Sequence, residues 1–405
     1  MATKCPHCQQ SQWGFFYADK KIVHSLVTLI KSSAMIPVCQ KHNLHGYKLR
    51  RKIMVASYGV TNKSKSVSSV PIQTLLGIDP GNGFVKARAD KGDSIILPSL
   101  IAYPTEYFEG GVVAKNGCSV LYVSGSRSDL IGKQILIGDI AYSIDPLNCI
   151  SIAKSPQAKA DYALELLLGA VGLLPQCDRV INPVLSVHDS TTFGEQIKQK
   201  IEGVHRIQLD GEPLDIEISN TSVTPEGKGT YYYLLKSGKV KKSDLVLLFD
   251  LGFGTSIYTV FQEGKILERS IFRWGVRDLY NSICQHPEMR KALNGVEGDS
   301  HVVRTAIETK KFIYRTEEGI FDFSKQYTEA LISWTKSNLK QAMDKMRPRI
   351  PKAAHLFLVG GGGNLPSIGN YFTKKGFEIL GNSQFCNAEG LLSIAQARSQ
   401  QNGNR

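Results

Sequence analysis

The stretch "LLGIDPGNGFVKARAD", residues 75 to 90, decides the fold. An apolar run ends at an acid, Asp79; glycines follow at 81 and 83 around Asn82, and an alternating strand pattern resumes with Lys86 in it. A second stretch, "DLVLLFDLGFGTSIYTVFQEGKILERS" (244 to 270), repeats the plan with Asp250, Gly252 and Gly254. Each copy continues through a strand, a polar turn ("KGD" or "EGK") and another strand. The two acids lie 171 residues apart (250 minus 79). Two matched copies of strand, D-x-G-x-G and hairpin predict a duplicated α/β fold with two lobes facing each other.

The residue types suggest a chemistry. Glycines let a tight turn bring backbone N–H groups close to phosphate oxygens. Acids at that place would repel phosphate unless a cation stood between them, and Mg2+ bridges carboxylates to nucleotide phosphates. Lys86, on the strand after the first turn, supplies a point charge for the same phosphates. The plainer reading is two ordinary Asp-Gly hairpin turns. A third glycine run, "GGGGNLP" (360 to 366), joins a buried strand "HLFLV" to a helix from Ser367. Four consecutive glycines between strand and helix suit close approach of a flat ligand to backbone.

Between the copies the pattern is helix ("PQAKADYALELLLGAVGLL"), strand ("DRVINPVLSVH") and helix ("STTFGEQIKQKIEG", with Ser190 or Thr191 as N-cap). After the second copy, helical patterns cover 276 to 293, 300 to 314 and 324 to 346.

Composition sets the bounds. Of 405 residues, 42% are hydrophobic and 21% charged, which is ordinary for a globular chain. The longest apolar stretch, 163 to 175, contains Glu165 and is too short to span a bilayer, and the N-terminus lacks the apolar segment of a signal peptide. A cytoplasmic protein with no membrane span is expected, with Cys118, Cys149, Cys177, Cys284 and Cys386 as reduced thiols.

The net charge of +13 is concentrated at one end: residues 1 to 70 hold eleven Lys/Arg against Asp19, or +10, leaving +3 for the rest. Residues 1 to 55 read as a small basic extension and 56 to 71 as a flexible linker. Cys5-x2-Cys8 and Cys39-x2-His42 provide four N/S ligands that suit a closed Zn2+ site. Free thiols in a basic tail, or a true start at Met54, are the other readings. A folded basic module would contact DNA or a DNA-bound adaptor. Lobe I is expected over 72 to 225, lobe II over 226 to 395 with the C-terminal helix returning to lobe I, and a tail over 396 to 405.

In order and content the three glycine loops resemble the phosphate-1, phosphate-2 and adenosine motifs of the actin/Hsp70/hexokinase superfamily, whose fold is ribonuclease H-like. Within it the chain looks most like the bacterial plasmid-segregation actins, the ParM/StbA family. "DPGNGFVK" matches the first loop from Asp79 to Lys86. "IILPSLIA" (95 to 102), "VTPEGKG" (223 to 229), "GVRDL" (275 to 279) and "NAEG" (387 to 390) match further stretches. The resemblance covers about 72 to 395. It implies that Asp79 holds Mg2+ through water, and that Gly81, Asn82, Gly83 and Lys86 bind the β/γ-phosphates. It further implies that Glu226 orients the attacking water, that Asp250, Gly252, Gly254 and Thr255 clamp from the other lobe, and that Gly361, Gly362 and Gly363 take the adenosine of ATP. Phe253 departs from the pattern, standing where a small or polar residue is usual, and so does Trp274-Gly275-Val276 in place of a Gly-Gly pair.

The resemblance implies an actin-like ATPase that adds to itself head-to-tail in filaments, for plasmid or DNA segregation or a related cytoskeletal role. The rivals are a non-polymerising kinase of the same fold, a chaperone-type ATPase and an adaptor with a vestigial site.

Overall fold

A computed structural model describes residues 73–106, 108, 116–174, 180–381 and 383–403. The expectations for the basic extension, the linker, Cys5, Cys8, Cys39, His42 and Cys177 lie outside them.

The duplication is visible in the strand order. In the first sheet, Ser94–Pro98, Phe84–Ala89, Gln73–Pro80, Val180–Val187 and Ser222–Pro225 are successive neighbours. The first three are antiparallel and the last three parallel. In the second sheet, Lys265–Phe272, Ser256–Gln262, Val246–Leu251, His355–Val359 and Glu378–Ile379 repeat that order and those directions. Among the described residues the first sheet continues beyond this core through six more strands, Glu212–Ile218 leading outward, to a total of eleven.

Alternation explains why these strands are apolar throughout. In Val246–Leu251, Leu247, Phe249 and Leu251 pack on the helices Val276–Cys284, Ser300–Glu308, Ser324–Trp334 and Ile368–Thr373. Val246 and Leu248 face the helix Lys228–Lys236 on the other side. A strand buried on both faces needs a continuous hydrophobic run. In the first sheet the helices Ala163–Leu173 and Ser190–Ile201 cover the Leu76 and Ile78 face, and the C-terminal helix Cys386–Gly403 covers Leu75 and Val184. Glu165, the acid in the apolar stretch, is buried and accepts a hydrogen bond from Tyr103 Oη at 2.8 Å.

Two helices cross at glycines next to the strand that carries Asp79. A Cβ on Gly390 would lie 1.7 Å from the Gly229 carbonyl oxygen, and one on Gly77 would lie 2.2 Å from the Ala388 carbonyl oxygen. Backbone this close admits no side chain.

Several boundaries differ from expectation. Asp189, not Ser190 or Thr191, caps the helix that follows, accepting from Thr192 N at 3.0 Å. The helix expected over 300 to 314 stops at Glu308, because Lys310 and Phe312 adopt left-handed backbone (φ 56° and 53°) and turn into the strand Ile313–Thr316. The expected tail from 396 is largely helical, since Cys386–Gly403 runs through it. Among the described residues Cys118, Cys149, Cys284 and Cys386 form no disulfide. No described helix is long and apolar enough to cross a membrane.

Candidate functional site

The two copies meet at a cavity of about 320 Å3 between the sheets. Asp79, Gly81, Asn82, Gly83 and Lys86 line it from the first copy, and Asp250, Gly252, Phe253 and Thr255 from the second. Glu226 lines it too, as do Gly360, Gly361 and Gly362 of the glycine run. Of the expected contacts, Gly254 and Gly363 stand apart from this wall. A Cβ on Gly254 would lie 2.7 Å from Asn82 Nδ2, so it serves the packing of one loop on the other, and Gly363 backs onto Leu358.

The first loop is built around a charge pair. Lys86 Nζ lies 3.4 Å from Asp79 Oδ2. Ser186 Oγ donates to Asp79 Oδ1 at 3.2 Å, and Asn387 Nδ2 donates to Ser186 Oγ at 2.8 Å. The same Asn387 accepts from Thr230 N through Oδ1 at 3.3 Å. A buried polar chain thus runs from the C-terminal helix to the acid. Buried groups of this kind are held by such partners or not tolerated at all. The loop's turn is fastened by Ser99, whose Oγ donates to the Gly81 carbonyl at 2.6 Å and whose N donates to the Gly83 carbonyl at 3.1 Å.

The second loop is held by backbone and rings instead. Val276 N and Arg277 N donate to the carbonyls of Gly252 (3.1 Å) and Phe253 (2.8 Å), docking the start of helix Val276–Cys284 onto the loop. Gly275 permits this, since a Cβ there would lie 2.4 Å from the Phe253 carbonyl oxygen. Trp274 packs edge-on to Trp334 at 5.7 Å between centroids, and Trp334 Nε1 donates to the Gly275 carbonyl at 3.2 Å. Phe253 packs directly on Gly83, where a Cβ would meet its ring at 2.9 Å. The Arg304 guanidinium sits 3.8 Å from the Phe84 ring centre and 4.9 Å from that of Phe253, and donates to the Gly83 carbonyl at 3.3 Å. The two loops are clasped by an arginine between two aromatic rings.

Among the described residues Asp250 has no cation within ion-pair reach. Burial pushes its carboxyl up to about 7, with Glu226 and Asp79 adding repulsion that Lys86 and Lys159 partly offset. Gly360 (φ 85°) brings the glycine run against it, so close that a Cβ would lie 2.3 Å from Asp250 Oδ1. Next to it, a Cβ on Gly361 would meet only Gln384, at 3.6 Å, which leaves its cavity side open.

Glu226 follows the strand Ser222–Pro225 of the first sheet, in the turn before helix Lys228–Lys236, and is ion-paired with the buried Lys159. Sequence reasoning missed Lys159, Ser186, Asn387 and Arg304. Ser186 and Asn387 do lie in stretches the reading had marked, Asn387 opening "NAEG", but no local pattern joins them to Asp79.

Among the described residues no three His, Cys, Asp or Glu groups cluster as a metal cage. The acids present fit an ion of a different kind, one that arrives with a nucleotide and takes most of its ligands from phosphates and water. The Zn2+ expectation rests on residues outside the described ones.

Comparison with known proteins supplies the frame. Residues 77–229 match the family model "Actin like proteins N terminal domain". No curated protein matches the chain. Among solved structures, the chain is similar to Ta0583, an archaeal actin homolog (18% identity, TM-score 0.63, 80% of this chain and 99% of that one). It is similar to ParM from a 15-stranded filament of Clostridium botulinum (16%, 0.65, 80% and 99%). It is also similar to Bacillus thuringiensis ParM with ATP (17%, 0.59, 81% and 99%). Such identities establish architecture: residues 77–229 match the model of an actin-like N-terminal domain, and the described chain has the duplicated actin-like fold.

Proposed function

We propose that the chain is an ATPase that binds Mg2+–ATP between its two lobes and assembles head-to-tail into filaments, with plasmid or DNA segregation as its role. One observation carries this: both D-x-G-x-G turns, Lys86, Glu226 and the Gly360–Gly362 backbone converge on one cavity. The fold's solved examples point the same way, since they include a protein with ATP, one with ADP and one in a filament.

In this reading the triphosphate lies between Gly81–Gly83 and Gly252–Thr255, where turn N–H groups and Lys86 meet its oxygens. Asp79 holds Mg2+ through water, and the ion, when bound, neutralises charge on the phosphates. Glu226 orients the attacking water. Gly361 and Gly362 offer backbone to the adenosine. Residues 1 to 70, with +10 of the charge, tether DNA or a DNA-bound adaptor.

The test is light scattering and phosphate release from the purified chain given ATP with Mg2+ or with EDTA. Scattering and release that both need Mg2+ support the reading. Release without scattering points to a non-polymerising kinase or ATPase of the same fold, and the absence of both signals overturns the proposal.

A further inference from the structure

We propose that Lys159 is the positioning residue for Glu226: by holding one carboxylate oxygen it leaves the other fixed toward the cavity, ready for a water. This rests on the reading of the cleft as a site of nucleotide hydrolysis.

Of the lysines that line the cleft, Lys86 and Lys159 are differently placed. Lys86 follows the first loop and pairs with Asp79 over 3.4 Å, at 15% side-chain exposure. Lys159 lies deeper, on the short helix Ala158–Asp161, with its side chain 3% exposed and paired with Glu226 Oε1. Glu226 Oε2 makes no hydrogen bond among the described residues, and the side chain lines the cavity. A carboxylate with one oxygen anchored and one available has a defined plane; without its anchor it has several rotamers and a buried, uncompensated charge.

The pair is also braced from across the cleft. Arg269, on the strand Lys265–Phe272 of the second sheet, donates to the His188 carbonyl at 2.6 Å and to the Glu226 carbonyl at 3.4 Å. Arg277 donates to the Ala153 carbonyl, in the segment that leads to Lys159. Two arginines on the second sheet's side thus grip the backbone on both sides of an ion pair on the first sheet's side. The relative setting of the lobes therefore reaches the pair directly, with no intermediate element.

Removing the lysine predicts a specific signature. Catalysis that depends on an oriented water should lose rate rather than nucleotide affinity. The charged and titratable groups facing Glu226 are Lys159, Arg269, His188 and Asp250, with Asp79 and Lys86 beyond.

The experiment measures ATP hydrolysis from pH 5.5 to 9, nucleotide affinity and melting temperature for the full chain and for Lys159→Met, Lys159→Arg, Glu226→Gln and Lys159→Met with Glu226→Gln. The proposal expects Lys159→Met to lower kcat about tenfold or more, with affinity within about threefold. Lys159→Arg, which keeps the charge, should recover part of the rate, and serves alone if the Met variant does not fold. The double variant should be no slower than Glu226→Gln, because a residue acting through Glu226 has nothing left to position. Lys159→Met with wild-type kcat, or a double variant far below Glu226→Gln, overturns the proposal and leaves the functional reading standing. A wild-type chain that binds ATP with no turnover, or binds none, overturns that reading and this one with it.

Discussion

The two phosphate-type loops started from one plan and are now held by different physics. The first, Asp79 to Lys86, is polar: its acid has a lysine at 3.4 Å and a Ser186–Asn387 relay behind it. The second, Asp250 to Thr255, is aromatic and backbone-bound: among the described residues its acid lacks a cation partner, and its odd residue, Phe253, is packed on Gly83 and clasped through Arg304. Duplication of a strand and turn preserves where an acid stands but not what surrounds it. The surroundings set whether that acid is ready to meet a cation or holds a proton. The departure at Phe253 is therefore compensated rather than degenerate, since a small residue there would leave Arg304 with one ring instead of two.

The comparison can be broken most severely at Asp79. Asp79→Ala should abolish Mg2+-dependent hydrolysis and assembly together, read as phosphate release and light scattering, while Asp250→Ala should retain residual Mg2+ dependence. Equal, small effects at both acids would mean that the two loops do not differ in role. Next comes Glu226→Ala, outside both loops, which should slow single-turnover hydrolysis about a hundredfold, or about 2.7 kcal/mol, with nucleotide affinity nearly unchanged. Turnover at the wild-type rate would remove Glu226 from the mechanism.

The clasp gives a smaller effect. Arg304→Ala should release a fluorescent nucleotide about tenfold faster and cost about 2 kcal/mol of stability. Arg304→Lys should not restore either, because a point charge cannot stack on Phe84 and Phe253 as a plane does. Release rates unchanged in both variants would show that the rings, not the guanidinium, hold the loops together.

The smallest effect is on stability against pH. Asp250 holds its proton in the fold up to about 7, well above an unfolded carboxyl near 4. Between those values the folded chain binds more protons than the unfolded one. This stabilisation is complete below the unfolded value and is lost as pH rises through the folded one. The melting temperature of the nucleotide-free chain should therefore fall by several degrees from pH 5 to 8, and Asp250→Asn should flatten that part of the curve. An identical slope in Asp250→Asn would assign the dependence to other groups.

What was legible in the sequence was what is local. An apolar run, an acid and two glycines within ten residues carry their own geometry, so Asp79, Asp250, Lys86 and the duplication could be read directly. Phe253 was legible as an exception, but its partner was not, because Arg304 lies on the helix Ser300–Glu308, 51 residues further along the chain (304 minus 253). Asn387 and Ser186 are 201 apart, and Ser186 and Asp79 107 apart; no periodic pattern links residues across such distances. Lys159 was hidden for another reason. In "QAKADY" it reads as the solvated face of a helix, yet it is buried because that helix is one turn long and wedged against Glu226. The helix expected to run to 314 failed on two left-handed residues, Lys310 and Phe312, which are not the glycines or asparagines that usually announce such a turn.

The account stands or falls on whether the two unlike loops share one ligand. Electron microscopy of the purified chain with Mg2+ and a non-hydrolysable ATP analogue tests this most directly. The prediction is filaments whose subunits hold nucleotide density between Gly81–Gly83 and Gly252–Thr255, with the base against Gly361 and Gly362. Dispersed particles with no density in that cleft, at analogue concentrations that saturate other ATPases, would contradict it.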